Sequence, residues 1–150
     1  MKRILLYVLI LAAVLVLPTK GMDVGKLQPV QTIAVFRKGE RWVIKTDTED
    51  VGVGASVEAA FENLMETTPA VICLDAADYL LVQNDTLTAI DVLRPKLKGS
   101  ILLYQYIGNP DLKDVSKYLS VHGENTKLKH WSRSEELPIL DCTTARFSFS

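Results

Sequence analysis

Cysteine and histidine are scarce in this chain of 150 residues, with two of each. Cys73 and Cys142 are too few for a disulfide scaffold. Cys73 lies in the apolar run Ala70–Leu74 and reads as a small buried hydrophobe, or else as half of a Cys73–Cys142 disulfide in an oxidising compartment. His122 and His130, with the distant thiol of Cys142, fall short of the three or four converging ligands that a metal needs, so they read as surface histidines. No metal or cofactor is expected. An excess of one charge is also missing: 17 basic residues face 18 acidic ones, a net of −1. Without Lys2, Arg3 and Lys20 the basic count falls to 14 and the net to −4. A mildly acidic chain is a poor match for nucleic acid or anionic lipid. No repeat or low-complexity tract is present, and G-x-S-x-G and a complete phosphate loop are absent. The expectation is therefore a non-enzymatic protein, with an exported small-ligand-binding protein or enzyme of unknown substrate, or a secreted domain without assigned activity, as the alternatives.

Long apolar runs are limited to one. Ile4–Leu17 is fourteen unbroken apolar residues, preceded by Lys2 and Arg3 and stopped by Pro18. A charged start followed by an apolar stretch of about 7–15 residues describes a secretory signal. A spanning helix needs about 20 such residues. Residues 1–21 are thus expected to be a signal peptide cut near Gly21, with Thr19 at −3, or else a retained N-terminal membrane anchor. Either way the protein works outside the cytoplasm, released or held on the outer face of the cytoplasmic membrane through Ile4–Leu17.

The remaining chain alternates strand and helix signals. Val30–Phe36 and Arg41–Thr46 read as a hairpin around Arg37-Lys38-Gly39-Glu40. Thr46–Ala55 is polar, acidic and glycine-containing, hence a loop. Ser56 then caps a helix whose Val57, Ala60, Phe61 and Leu64 share one face. Ala70–Leu74 and Tyr79–Gln83 are strand candidates. Asn84-Asp85 starts a helix with Leu87, Ile90, Leu93 and Leu97 inward, bent or ended by Pro95. Ile101–Ile107 is a strand, and Asn109-Pro110 opens a last helix with Leu112, Val115 and Leu119 inward. The expected fold is a single layered α+β domain over residues 30–122, in the order β-β-α-β-β-α-β-α. Its mixed sheet is packed by about three helices. Residues 123–150 are expected to be a loosely ordered polar tail.

Three clusters are candidates for chemistry. The first is the surface loop bearing Asp47, Glu49, Asp50, Gly52, Gly54 and Ser56. Its amides at a helix start suit an anion, yet no Lys follows the glycines and three carboxylates precede them. The same carboxylates suit a hard cation, but the EF-hand spacing is missing. A turn with a helix cap is the simpler reading. Asp75 and Asp78 read as an acid–base pair or, more simply, Asp78 starts the Tyr79 segment. Trp131 with Lys127, Lys129, His130 and Arg133 reads as a basic-aromatic patch for a membrane surface or partner, or as a solvated tail.

From Val30 to Leu119 the chain resembles the N-terminal domain of spore germination receptor C subunits, the GerAC or Ger(x)C family. A hairpin around Gly39 leads to Gly54-Ala55-Ser56 and a helix with Val57, Glu58, Ala59, Ala60 and Leu64, where the family has a G-K-T-x-x-E-A-x-x-x-L-like stretch. Ser56 stands where the family has Thr. Thr68-Pro69, Tyr79–Val82, Leu93-Arg94-Pro95, Ile101–Ile107 and Asp111–Leu119 follow in the family's order. The resemblance implies a non-enzymatic interaction domain with membrane-bound receptor subunits as partners and a role in germination or sporulation. It implies no catalytic residue. Family members are longer and lipid-anchored through a cysteine, and no cysteine lies near the end of the run Ile4–Leu17 where that lipid would attach. Their Trp-Asp-rich start is matched at most by Asp23-Val24-Gly25.

Overall fold

The computed structural model describes residues 27–68, 71–123, 126–143 and 147–149. The expectations for Met1–Gly21 and for Asp23-Val24-Gly25 lie outside those residues. Among the described residues no helix is long and apolar enough to cross a membrane.

Gly39 takes φ +64° and turns the chain from β2 (Thr32–Lys38) into β3 (Arg41–Thr46). The two strands pair antiparallel, with Ala34 opposite Lys45 and Phe36 opposite Val43. A third strand, β4 (Val51–Gly54), follows where a loop was expected, paired antiparallel to β3. Ser56 caps α1 (Val57–Thr67) by accepting the Ala59 N–H at 3.1 Å, and Glu58 lies in its first turn. Val57, Ala60 and Leu64 are its buried face, as the spacing predicts. Burying a side chain such as Leu64 stabilises the fold by about 1.5–3 kcal/mol.

A short strand before the hairpin, β1 (Leu27–Pro29), pairs in parallel with β5 (Val71–Cys73) as a separate two-stranded sheet. Then come β6 (Tyr79–Val82), a 3-10 turn at Asn84–Thr86, and α2 (Thr88–Leu93). Pro95 ends α2 as expected, and a 3-10 turn at Arg94–Lys96 takes over. The chain continues as β7 (Leu102–Gly108) and α3 (Leu112–His122). The cap of α3 is Asp111, not Asn109: its Oδ1 accepts the N–H groups of Lys113 and Asp114 at 3.0 and 3.3 Å. A carboxylate acceptor with helix N–H donors in reach displaces the Asn-Pro start two residues upstream.

The main sheet runs β4-β3-β2-β6-β7 and then continues with β8 (Ile139–Cys142) and β9 (Ser148–Phe149). The pairs β2–β6, β6–β7 and β7–β8 are parallel, while β4–β3, β3–β2 and β8–β9 are antiparallel. Among the described residues the domain is α+β with a mixed sheet and three α-helices, and between β2 and α3 the expected element order is present with β4 added to it.

The expectation of a loose polar tail after residue 122 is corrected. Leu128, Trp131, Leu137 and Leu140 are buried, and Trp131 is only 3% exposed. Leu103 N–H donates to Thr126 O at 2.8 Å and Leu128 N–H to Ile101 O at 2.9 Å, which lays this segment along the start of β7. Arg94 Nη2 holds Trp131 O at 2.9 Å, and its guanidinium lies 5.8 Å from the centre of the Trp131 ring. Arg133 Nε donates to Asp91 Oδ2 at 2.6 Å. Four apolar residues bury enough surface to outweigh the charged residues between them.

The sheet separates two cores. Ile33, Val35, Leu80, Val82 and Leu103 face α1 and α2. Ala34, Leu81, Tyr104 and Tyr106 face α3. Both thiols are free, so the disulfide alternative is set aside. Cys73 is half-buried rather than buried. Cys142 is buried, and burial, with Asp141 beside it, pushes its thiol up to about 11.

Candidate functional site

The six residues of the expected surface loop are split between two ends of β4 and do not form one site. Asp47, Glu49 and Asp50 form the turn joining β3 to β4, whereas Gly52 lies within β4, Gly54 ends it and Ser56 follows it. Each carboxylate of the turn has a structural partner. Both Asp47 oxygens lie 3.2 Å from the Gln31 N–H. Glu49, at φ +71°, meets Lys113 Nζ at 3.1 Å across exposed surface. Asp50 Oδ2 accepts from Thr48 Oγ1 at 2.7 Å. Burial raises the Asp47 carboxyl above its ordinary value, against the lowering effect of the Gln31 and Thr32 amides. The Glu49 contact raises the Lys113 ammonium.

Gly52 and Gly54 serve packing. A Cβ on Gly52 would collide with Ala60 O and stand 2.6 Å from Leu64 Cβ. A Cβ on Gly54 would collide with the Ala60 amide. Between them, the Val53 N–H donates to Asn63 Oδ1 at 3.0 Å. The G-x-G spacing therefore lets α1 lie directly on strand backbone.

The other candidate clusters also have structural occupations. Asp78 Oδ1 pairs with Lys98 Nζ at 2.8 Å, and Asp75 lies within the 3-10 turn Leu74–Ala76. The basic-aromatic patch is dismantled, because Trp131 is core and Arg133 binds Asp91. His122 stacks on Tyr118 with centroids 4.6 Å apart. Among the described residues no group of three or more His, Cys, Asp or Glu is placed to hold a metal.

A crevice that sequence reasoning missed opens at the carboxyl ends of the parallel strands. Its volume is about 210 Å³. Ala34 and Phe36 of β2 form the floor with Tyr106 of β7, and Lys45 of β3 borders them. Gln83, just after β6, Gly108 at the end of β7 and Asn109-Pro110 just after it form its rim. Leu112 contributes the first turn of α3. The location has a topological cause. After β6 the chain turns to α2 on one face of the sheet; after β7 it turns to α3 on the other. Neighbouring parallel strands whose connections diverge in this way leave a cleft between them, the usual ligand position in open sheets.

Tyr106 is 4% exposed, and among the described residues no hydrogen bond is made to its hydroxyl. Burial, with smaller effects from Cys142 and Asp85, pushes its phenol far above the ordinary value, so it stays a protonated donor. Lys45 also lines a second cleft of about 90 Å³ beside Asp47, Glu49, Asp111 and Lys113. The signals for this crevice are local and weak: a Lys at a strand end, an aromatic in Ile101–Ile107, and the Gly-Asn-Pro exit.

No protein family, curated protein or solved structure gave a match to this chain.

Proposed function

We propose that this chain is a non-enzymatic interaction domain working outside the cytoplasm. It is related to the N-terminal domain of germination receptor C subunits and has membrane-bound receptor subunits as partners. The observation that carries the reading is the fate of the loop carboxylates. Asp47, Glu49 and Asp50 bind Gln31, Lys113 and Thr48, and so brace the β3–β4 turn rather than face a substrate. The element order from β2 to α3 supports the kinship, since it follows the order quoted for that family. In this reading Ile4–Leu17 directs export and either leaves with the signal or tethers the domain at the outer membrane face.

The test is a tagged chain recovered from spore membranes, together with a deletion strain. Enrichment of receptor subunits with the tagged chain and slowed germination of the deletion strain are expected. Normal germination together with no enrichment would sink the reading.

A second reading, a small-ligand-binding protein, is favoured by the crevice between the exits of β6 and β7. It is compatible with the first, because a ligand-bound domain can still dock on a partner. Dialysis of the purified protein against a metabolite mixture, followed by mass spectrometry of what is retained, tests it. Retention of no compound would remove it.

A further inference from the structure

We infer that the crevice between the exits of β6 and β7 binds a small organic monocarboxylate with an apolar body, held by Lys45 and Tyr106. The inference rests on the second, ligand-binding reading above.

Three observations specify the ligand. The first is size. At about 210 Å³ the crevice is smaller than the roughly 300–1,000 Å³ of pockets for drug-sized ligands, so it suits one small molecule.

The second is the unmatched donor set. The Tyr106 side chain is 4% exposed and lines the crevice, and its hydroxyl has no hydrogen-bond partner among the described residues. The hydroxyl is thus free to donate to an acceptor that arrives in the crevice. Lys45 stands opposite Ala34 in the sheet, which puts both side chains on the crevice face. Its ammonium has no ion-pair partner among the described residues, whereas Lys98, Lys113 and Lys117 each have one. Carboxylates do border the region, but two are occupied. Asp111 caps α3, and Asp47 holds the Gln31 N–H. Asp85 remains close enough to act on Tyr106. One cation with a carboxylate nearby suits a monoanion; a phosphate dianion would meet too little positive charge.

The third is the wall. Phe36, Ala34, Leu112 and Pro110 offer an aromatic edge and aliphatic surface beside the two donors. A ligand with its carboxylate on Lys45 and Tyr106 and its apolar body against Phe36 and Leu112 satisfies the polar groups and buries the apolar ones together.

The test titrates the full chain, labelled with nitrogen-15, with sodium benzoate and separately with benzyl alcohol. Benzoate is expected to shift the amides of Phe36, Gln83, Gly108 and Leu112 saturably. Benzyl alcohol, which lacks the charge, is expected to bind about tenfold or more weakly. Lys45→Met and Tyr106→Phe are each expected to weaken benzoate by a similar factor and to leave benzyl alcohol unchanged. Amides of Leu64 and Leu128, in the opposite core, report whether each variant stays folded. Equal binding of the two compounds, or benzoate binding untouched by Lys45→Met, would overturn the carboxylate assignment and leave the crevice as a ligand site. No shift at the four crevice amides with either compound would overturn the crevice reading and this inference with it.

Discussion

Gly52 lies against the Ala60 carbonyl so closely that no side-chain atom fits between strand and helix. The contact makes β4 and α1 one packed unit, and Leu64 of α1 shares its core with Ile44, the β3 residue opposite Gly52. Gly52→Ala forces backbone apart, because the first obstacle is a main-chain oxygen rather than a flexible side-chain end. A loss of about 2–3 kcal/mol is expected, at the upper end of overpacking costs. Gly39→Ala is the comparison: nothing lies within 4 Å of its added Cβ, and only its φ of +64° opposes it. That variant should lose about 1–2 kcal/mol. Urea unfolding midpoints measure both. Equal losses would mean that the β4–α1 contact is looser than described.

Trp131 anchors the last part of the chain to the first core. Its ring is buried, its Nε1–H donates to Glu135 O at 3.2 Å, and its carbonyl holds Arg94. Trp131→Ala should cost about 3–5 kcal/mol, a large share of the roughly 5–15 kcal/mol available to a domain of this kind. A chain ending at Gly123 should fail to give a cooperative melt. Full stability in the shortened chain, followed by circular dichroism on heating, would return residues 126–143 to the status of a tail.

Asp47 gives the fold a pH signature. Its native carboxyl is raised above the ordinary 3.8 by burial. The folded state therefore holds this proton more tightly than the unfolded state does. The unfolded chain releases it first as pH rises, so Asp47 lowers stability progressively from about pH 4 up through its raised native value. Asp47→Asn retains an oxygen acceptor for the Gln31 N–H and removes the buried charge. The variant should gain on the natural chain between pH 4 and pH 7, with melting temperature against pH as the readout. Parallel curves for the two proteins would contradict the raised carboxyl.

The hairpin, α1 and the break at Pro95 were legible because each is set by neighbours in sequence. Gly39 dictates a turn, Ser56 a cap, and Pro95 a missing donor, and none of these needs a distant partner. The strand β4 was hidden because Gly52 and Gly54 alternate with Val51 and Val53 in acidic surroundings, and glycine reads as loop. Only the close approach of α1 explains that pattern. The closing segment was hidden because Leu128, Trp131, Leu137 and Leu140 are scattered among polar residues with no helical or strand period. The crevice was least legible of all. Ala34, Lys45, Tyr106 and Leu112 come from four elements, and only strand pairing together with the packing of α3 on the sheet brings them together.

The far edge of β7 is occupied by residues that the ribosome delivers well after the strand itself. Leu128 covers its beginning and β8 its end. Until those residues arrive, Leu103 and Gln105 present bare amide groups along a flat apolar strand. Such an edge recruits whatever strand is at hand, including that of another unfinished copy. A truncated or clipped molecule is thus an aggregation seed. The interval between making Gly108 and making Cys142 is the vulnerable moment in the life of this protein, and the place where a chaperone would have most effect.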